Sequence, residues 1–350
     1  MPPQRTVLVT GVSGNLGTRL LPLLAEFRVV GVDMRPPADS HLYRFEQMDL
    51  GREACCRQFI ELLRETGAES IVHLAFVLDP QQTGVLDVER MWQINVGGTA
   101  RLMEAVSVVN RTGGAIRQFI FPSSVAAYGP ETPGPVKEDA PLRAHTLVYA
   151  IHKRESDEVV RYRAESMGDC RTYILRPPIY AGATMQNYMV GVLRGTPLGK
   201  SKRAARMRAE GKRLPMMLPR GPKYLEKRFQ FVHVDDVARL LRLLLNRPHS
   251  DPPLTIMNVA GRGEPIPVQR CAEIAQATIQ RVPTRALFRS ILRLLWKFGI
   301  SSIPPDAWPY LIGSYTMDTT RLQQFLGADY PRVIQYTVEE ALRDSFKTPA

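Results

Sequence analysis

The stretch Thr10-Gly11-Val12-Ser13-Gly14-Asn15-Leu16-Gly17 constrains this chain more than any other. It lies between a β-branched run, Thr6–Thr10, and an amphipathic pattern over Leu16–Glu26. Glycines at such a junction permit a tight turn and let backbone N–H groups approach a pyrophosphate at the helix N-terminus. A glycine triplet alone marks only a strand-to-helix turn. Here a second β-branched run, Val29–Asp33, follows and ends in an acid sixteen residues after Gly17. That order of strand, loop, helix and acid-tipped strand is the dinucleotide-binding pattern. A carboxylate in that place accepts hydrogen bonds from ribose hydroxyls and repels a 2′-phosphate, so NAD is expected in preference to NADP. Arg35 is the one nearby group that favours the phosphate.

The alternation continues. Runs over Arg44–Asp49, Ser70–Leu74, Gln118–Ser123 and Arg171–Arg176 read as strands, and Glu53–Glu65, Val88–Ser107 and Tyr149–Met167 read as helices. Strands alternating with helices predict βαβ units, and hence an α/β fold with a doubly wound parallel sheet. Residues 1–176 are expected to form the NAD-binding domain and 177–350 a smaller substrate-binding lobe, interleaved with sheet elements near 229–260. In that second half a strand is expected over Phe229–Val234, a helix over Val237–Leu245, a strand over Leu254–Val259, a helix near Val268–Gln280 and a helical tail beyond Pro283.

The net charge of +12 raises the question of nucleic acid or membrane. Between Arg194 and Arg228 lie twelve Lys or Arg and only two acids, so this segment carries +10 and the rest of the chain +2. The segment lacks interleaved stacking aromatics, with Tyr224 alone at its centre, so no nucleic-acid partner is expected. A mobile solvated loop near the substrate entrance is the expectation, and a diphosphate clamp the alternative. The four cysteines, Cys55, Cys56, Cys170 and Cys271, form no CxxC pair. With no signal-peptide pattern and no apolar run of about 20 residues, a reduced, cytoplasmic protein is expected.

Tyr149-Ala150-Ile151-His152-Lys153 places a phenol and an ammonium on one helical face. A phenol titrates near 10 and needs a neighbouring positive charge to exchange a proton at neutral pH. Ser123-Ser124 closes a strand twenty-five residues before Tyr149, where a hydroxyl can polarise the same substrate oxygen. Together with the glycine loop, these residues resemble the short-chain dehydrogenase/reductase superfamily. The form TGxxGxxG and the chain length point to its extended branch, the NAD-dependent epimerase/dehydratase family.

The resemblance covers nearly the whole chain. It implies a Rossmann sheet, with Ser124, Tyr149, Lys153 and Asn95 as catalytic residues. It assigns Gly11, Ser13, Gly14, Asn15, Leu16, Gly17 and Asp33 to the cofactor. Met48-Asp49-Leu50 matches the family's adenine-contacting segment, and His73-Leu74-Ala75 the strand lining the cofactor ribose. Phe76 stands where a second small residue is usual. Asn95 matches a structural and proton-relay asparagine, and Leu175-Arg176-Pro177-Pro178 the turn that meets the nicotinamide carboxamide. A homodimer through the helix carrying Tyr149 is also implied.

The departures bear on the substrate. Dehydratases of the family carry acids just after the catalytic hydroxyl residue; here Val125 and Ala126 argue against water elimination. Epimerases carry an Arg-Asp pair before a Val-His-Val-like strand, where the Arg holds a sugar-nucleotide diphosphate. Here the positions read Phe229-Gln230, with Arg228 displaced by one and therefore turned to the other face of a strand. Hydride transfer at a secondary alcohol of a sugar or sugar nucleotide is the leading expectation. A lipid- or steroid-like alcohol is the alternative substrate, and a non-catalytic NAD sensor the alternative class.

Two features stand apart. In His233-Val234-Asp235-Asp236, either Asp235 or Asp236 is expected to cap the following helix, and His73 and His152 to be structural, so no metal site is expected. In the stretch from Arg285 to Phe298, cations recur at Arg285, Arg289, Arg293 and Lys297. Phe288, Ile291, Leu292, Leu295 and Trp296 fall on the other side. A lid helix is expected, with peripheral membrane contact the alternative.

Overall fold

The structure is a computed structural model and describes residues 4–38, 42–78, 84–247 and 250–347. The chain begins with β1 (Thr6–Thr10), the glycine loop and α1 (Asn15–Leu20), where Pro22 tightens the next turn, Leu21–Leu24, into a 3-10 helix. β2 (Arg28–Asp33), β3 (Arg44–Gln47), α2 (Cys55–Thr66) and β4 (Ser70–His73) follow. The expected single helix over 88–107 is two, α3 (Val88–Trp92) and α4 (Gly98–Arg111), joined by a π turn at Gln93–Gly97. Next come β5 (Gln118–Pro122), α5 (Val148–Ala164), β6 (Arg171–Arg176) and β7 (Ile179–Ala181).

In the second half lie α6 (Tyr188–Arg194), α7 (Lys202–Ala209), β8 (Met216–Pro219), β9 (Arg228–Phe229), β10 (Phe231–His233), α8 (Val234–Leu245) and β11 (Leu254–Asn258). β12 (Ile266–Pro267), α9 (Val268–Ala275), β13 (Ile279–Val282), α10 (Arg285–Lys297) and α11 (Val338–Asp344) complete the elements that position the site.

Seven strands form a parallel sheet in the order β11-β6-β5-β4-β1-β2-β3. The order reverses at β1, so its C-terminal end and that of β4 border the crevice where doubly wound sheets bind ligands. Strand alternation sorts the core into two layers. Val7, Val9 and Val72 pack with Leu20, Leu240 and Leu244 beneath α1 and α8. Leu8, Val30, Val32 and Phe119 pack with Phe59, Leu102 and Val106 beneath α2 and α4. A third apolar cluster, around Leu193, Met216, Phe229, Phe288 and Leu292, is the interior of the second-half lobe.

Three expectations for that half are corrected. The strand over 229–234 breaks at Gln230, whose buried amide donates to Met317 O at 3.0 Å and accepts from Met317 N–H at 2.7 Å. β9 then pairs antiparallel with β12, and β10 parallel with β7. The helix near 268–280 stops at Ala275, because Gln276 takes a left-handed φ of 50°, and β13 follows beside β8. The basic segment is not a loop but folds into α7, β8, β9 and the turn of helix Lys223–Glu226. Its arginines secure it. Arg213 donates to Arg194 O (2.8 Å), Leu193 O (3.3 Å) and Ala275 O (3.0 Å), and Arg208 to Gly199 O (2.9 Å). Arg194 donates to Met185 O at 3.3 Å and to Ser345 O, and Arg228 to Pro265 O at 2.8 Å.

Candidate active site

The C-terminal ends of the strands gather the expected residues. Ser124 follows β5 with extended backbone, and its oxygen accepts the Ala126 N–H at 3.1 Å, capping the turn Val125–Tyr128. The same hydroxyl faces the phenol of Tyr149, the second residue of α5, closely enough to act on its titration. Burial pushes the Tyr149 phenol above its ordinary value, and the facing Ser124 hydroxyl opposes that rise. One turn on, Lys153 is buried and donates to Pro122 O at 2.7 Å. Burial pushes its ammonium down to about 7, against the pull of Asp157.

Phe76 touches both members of the pair. Its ring centroid lies 3.7 Å from Lys153 Nζ and 6.0 Å from the Tyr149 ring, edge-on at 88°. A cation over an aromatic face is attracted by the ring quadrupole, which suits a large residue at this position. Asn95 sits buried in the π turn, where it accepts from Val77 N–H (2.7 Å) and donates to Val77 O (3.1 Å) and His152 Nδ1 (3.3 Å). Its side chain holds the loop after β4 rather than bonding Tyr149 or Lys153.

The glycine loop fits a pyrophosphate by its shape. Gly11 has φ +70°, and a Cβ there would come within 2.5 Å of Ala75 N, while one on Gly17 would meet Val12 O at 2.4 Å. The loop therefore presses against the Leu74-Ala75 segment, whose N–H groups reach Thr10 O (3.0 Å) and Thr10 Oγ1 (3.2 Å). No side chain caps α1 after Gly14, leaving its first N–H groups for an anion. Leu16 is half-buried, and exposed Asn15 reaches across to Thr184 O at 3.1 Å.

Asp33 accepts from Ser13 N–H (3.0 Å) and Met34 N–H (2.7 Å), which fixes its carboxylate beside the loop. Asp49 pairs with Arg90 and Arg52, and Leu50 is buried against Gly98. Pro177 O accepts the Val125 N–H at 2.8 Å and joins the end of β6 to the serine turn.

Sequence reasoning missed the network behind these groups. Arg176, fully buried, makes a bidentate pair with Asp157 (2.9 and 2.8 Å) and donates to Tyr128 Oη (2.7 Å) and Glu138 O (2.8 Å). Tyr128 donates to Asn258 Oδ1 at 2.8 Å, so the network ties β6, α5 and β11 together behind the catalytic pair. Tyr180, Tyr310 and Tyr315 lie near Tyr149, and Tyr310 donates to Ala126 O at 3.1 Å. All three come from the second half, where no local motif announced them.

The helix cap was misread. His233, not Asp235 or Asp236, caps α8, its Nδ1 accepting the Asp235 N–H at 3.2 Å. Its Nε2 faces Asp344 Oδ2 at 3.0 Å. Asp236 is buried and accepts from Gln335 and Tyr336 N–H groups at 3.0 and 3.2 Å. His73 bonds Thr10 and Thr99, and burial pushes it down to about 3. Among the described residues no cluster of three or more His, Cys, Asp or Glu can hold a metal ion.

A sequence profile of the NAD dependent epimerase/dehydratase family matches residues 7–260. The chain belongs to that family. The Thermus thermophilus UDP-glucose 4-epimerase, solved with NAD, superposes with a TM-score of 0.67 at 20% identity, covering 97% of both chains. The Bacillus cereus UDP-glucuronic acid 4-epimerase, solved with UDP-glucuronic acid and NAD, superposes with 0.66 at 17%, covering 98% of both. At such identities the likeness establishes the fold. An uncharacterized epimerase/dehydratase of Staphylococcus aureus is 27% identical over 171 residues, 47% of this chain and 50% of its own. The chain thus spans about half the length of the curated relatives it matches.

Two cavities lie apart from Ser124, Tyr149 and Lys153, none of which lines either. One of about 680 Å³, lined by Ser107, Asn110, Arg117, Ser166 and Asp169, opens at the N-terminal ends of β5 and β6, the far end from Tyr149. A narrow apolar one of about 60 Å³ runs through the lobe between Leu198, Leu214, Met216, Met217, Leu295 and Leu311.

Proposed function

We propose that this chain moves a hydride between NAD and a secondary alcohol carbon, with Tyr149 exchanging the hydroxyl proton and Ser124 orienting the substrate oxygen. The observation that carries this reading is that the Ser124 hydroxyl faces the Tyr149 phenol at the crevice, with buried Lys153 one turn away and held by Pro122 O. Bound NAD supplies the hydride acceptor and a positive ring. That charge is what the site requires, since burial alone holds the phenol protonated and weakens the lysine's charge. Lys153 then favours the phenolate and donates to the nicotinamide ribose. Gly11, Ser13, Gly14, Asn15, Leu16 and Gly17 hold the pyrophosphate, Asp33 the adenosine ribose, Asp49 and Leu50 the adenine side, and Leu74, Ala75 and Pro177 the remainder. Asn95 supports the site through Val77 and His152.

Residues 1–176 would serve the cofactor and 177–350 the substrate. A sugar is the leading substrate class, because chains of like fold act on UDP-glucose and UDP-glucuronic acid. Epimerisation is favoured over dehydration, since Val125 and Ala126 are buried and leave no carboxylate beside Ser124. A lipid-like alcohol is the second reading, favoured by buried Phe229 standing where a diphosphate-binding arginine belongs. We also infer a homodimer through α5, whose Tyr162 is exposed; equilibrium sedimentation at micromolar chain would show a single dimeric species.

Substrates deuterated at the reacting carbon test the chemistry. Epimerisation retains the label on an inverted carbon, and net oxidation releases it in NADH. Inversion with loss of the label to water would overturn the hydride route.

A further inference from the structure

The helix Arg285–Lys297 has more apolar surface than its packing uses. Phe288 and Leu292 are buried and Leu295 lines the lobe cavity, as a lid requires. Yet Leu287, Leu294 and Phe298 are 44%, 52% and 61% exposed. With half-buried Ile291 they occur at helical spacing and make one continuous outward stripe, rotated away from the packed face.

Cations border that stripe. Arg293 and Lys297 are exposed, and no carboxylate among the described residues pairs with either. Arg285 and Arg289 are also exposed but are engaged within the chain, the first donating to Tyr224 Oη at 2.6 Å and the second lying 5.2 Å over the Trp308 ring.

A second basic helix is sewn to the end of the first. Gly199 N–H donates to Ile300 O at 2.9 Å and Ser201 N–H to Gly299 O at 3.0 Å. The approach is so close that a Cβ on Gly199 would lie 2.0 Å from Gly299 O. Exposed Lys200, Lys202 and Arg203 therefore begin beside the turn that follows Phe298, with exposed Arg206 one turn further. No acid occurs between Gly195 and Ala209 or between Arg285 and Pro305. The exposed acid nearest in sequence to the stripe is Asp306.

We propose that α10 and α7 together form a docking face for an anionic lipid surface, with Leu287, Ile291, Leu294 and Phe298 entering the acyl boundary and the six cations Lys200, Lys202, Arg203, Arg206, Arg293 and Lys297 meeting lipid headgroups. The charge complementarity selects this occupant: an apolar stripe rimmed by unpaired cations and without acids is what a negatively charged interface attracts. A second copy of the chain would bring the same cations against themselves. No described helix is long and apolar enough to cross a membrane, so the contact lies in the interface. The proposal stands apart from the identity of the substrate.

The test is sedimentation of the full chain with phosphatidylcholine vesicles, with and without phosphatidylglycerol. The anionic vesicles should carry down about tenfold more protein, and added salt should reduce it. Arg293→Glu with Lys297→Glu should abolish pelleting, and Leu294→Ser with Phe298→Ser should weaken it severalfold, both with NAD binding intact. No pelleting at low salt overturns the proposal. So does pelleting that survives loss of the apolar stripe, which would be adsorption of charge alone. If the serine variant instead changes the sedimentation coefficient in the absence of vesicles, the face belongs to a second copy, and the proposal fails.

Discussion

In the sheet half of the molecule Arg176 lies fully buried against a carboxylate, a phenol and a carbonyl, each within 2.9 Å. In the lobe Arg194, Arg208, Arg213 and Arg228 bond main-chain carbonyls and keep part of their surface in water. The first arrangement fixes a charged group whose removal leaves an uncompensated ion in the interior. The second uses the guanidinium as a splint for irregular backbone, which needs carbonyl partners wherever helices and strands are short. The difference teaches that one residue type carries two messages. A stretch of twelve cations suggested a solvated loop, with a diphosphate clamp as the alternative, yet several of its arginines are scaffold.

The largest effect expected falls on the chemistry of the sheet half. Tyr149→Phe should lower turnover by about 10²–10⁴-fold with NAD affinity nearly unchanged. Unaltered turnover on a verified substrate would move the chain to the sensor class. Next, Asp157→Leu should cost about 3–5 kcal/mol of stability by stranding Arg176, read from urea unfolding. A loss below about 1 kcal/mol would mean that Tyr128 and Glu138 suffice, and the contrast between the two kinds of arginine would collapse.

The pH dependence of the cofactor-free chain sharpens the same contrast. Lys153, at about 7 in the folded chain and ~10.4 unfolded, binds more protons unfolded between those values, so its contribution improves as pH rises from 7 towards 10. His73, at about 3 folded and ~6.5 unfolded, makes stability fall as pH drops from 6.5 towards 3. Each group changes stability by at most about 1.4 kcal/mol per pH unit inside its own window. Lys153→Met should flatten only the alkaline slope and His73→Asn only the acid one, as read from thermal midpoints. The smallest effect belongs to the lobe. Arg213→Ala should cost about 1 kcal/mol, as partly exposed hydrogen bonds do, and leave KM unchanged. A tenfold rise in KM for a nucleotide-linked sugar, without loss of stability, would make Arg213 a clamp after all.

Legibility followed the same division. β1 and β6 lie where the sequence pattern places them, because a parallel strand buried on both faces writes itself as a short run rich in β-branched and other apolar residues. Ser124, Tyr149 and Lys153 were legible because helix and strand spacing places them without help from distant residues. The π turn at Gln93–Gly97 was not, since it depends on Asn95 finding Val77 across the crevice. The break at Gln230 depends likewise on Met317, eighty-seven residues away. Nor could periodicity reveal that Leu287, Leu294 and Phe298 would stay in water, because α10 is apolar over more than one face and the sequence does not say which face is covered.

The seventh strand, β11, arrives late in the chain. β6 ends at Arg176 and its sheet neighbour begins at Leu254, so the intervening residues leave the ribosome before the sheet can close. At ordinary synthesis rates the flank of β6 waits roughly 4–16 s for its partner. During that interval the nascent chain presents the unpaired edge that invites pairing with a stranger, and Arg176 lacks the brace that Asn258 gives Tyr128. A cell making this protein quickly has reason to shield that edge. Slower translation through the codons for 177–253 would lengthen the exposure rather than relieve it.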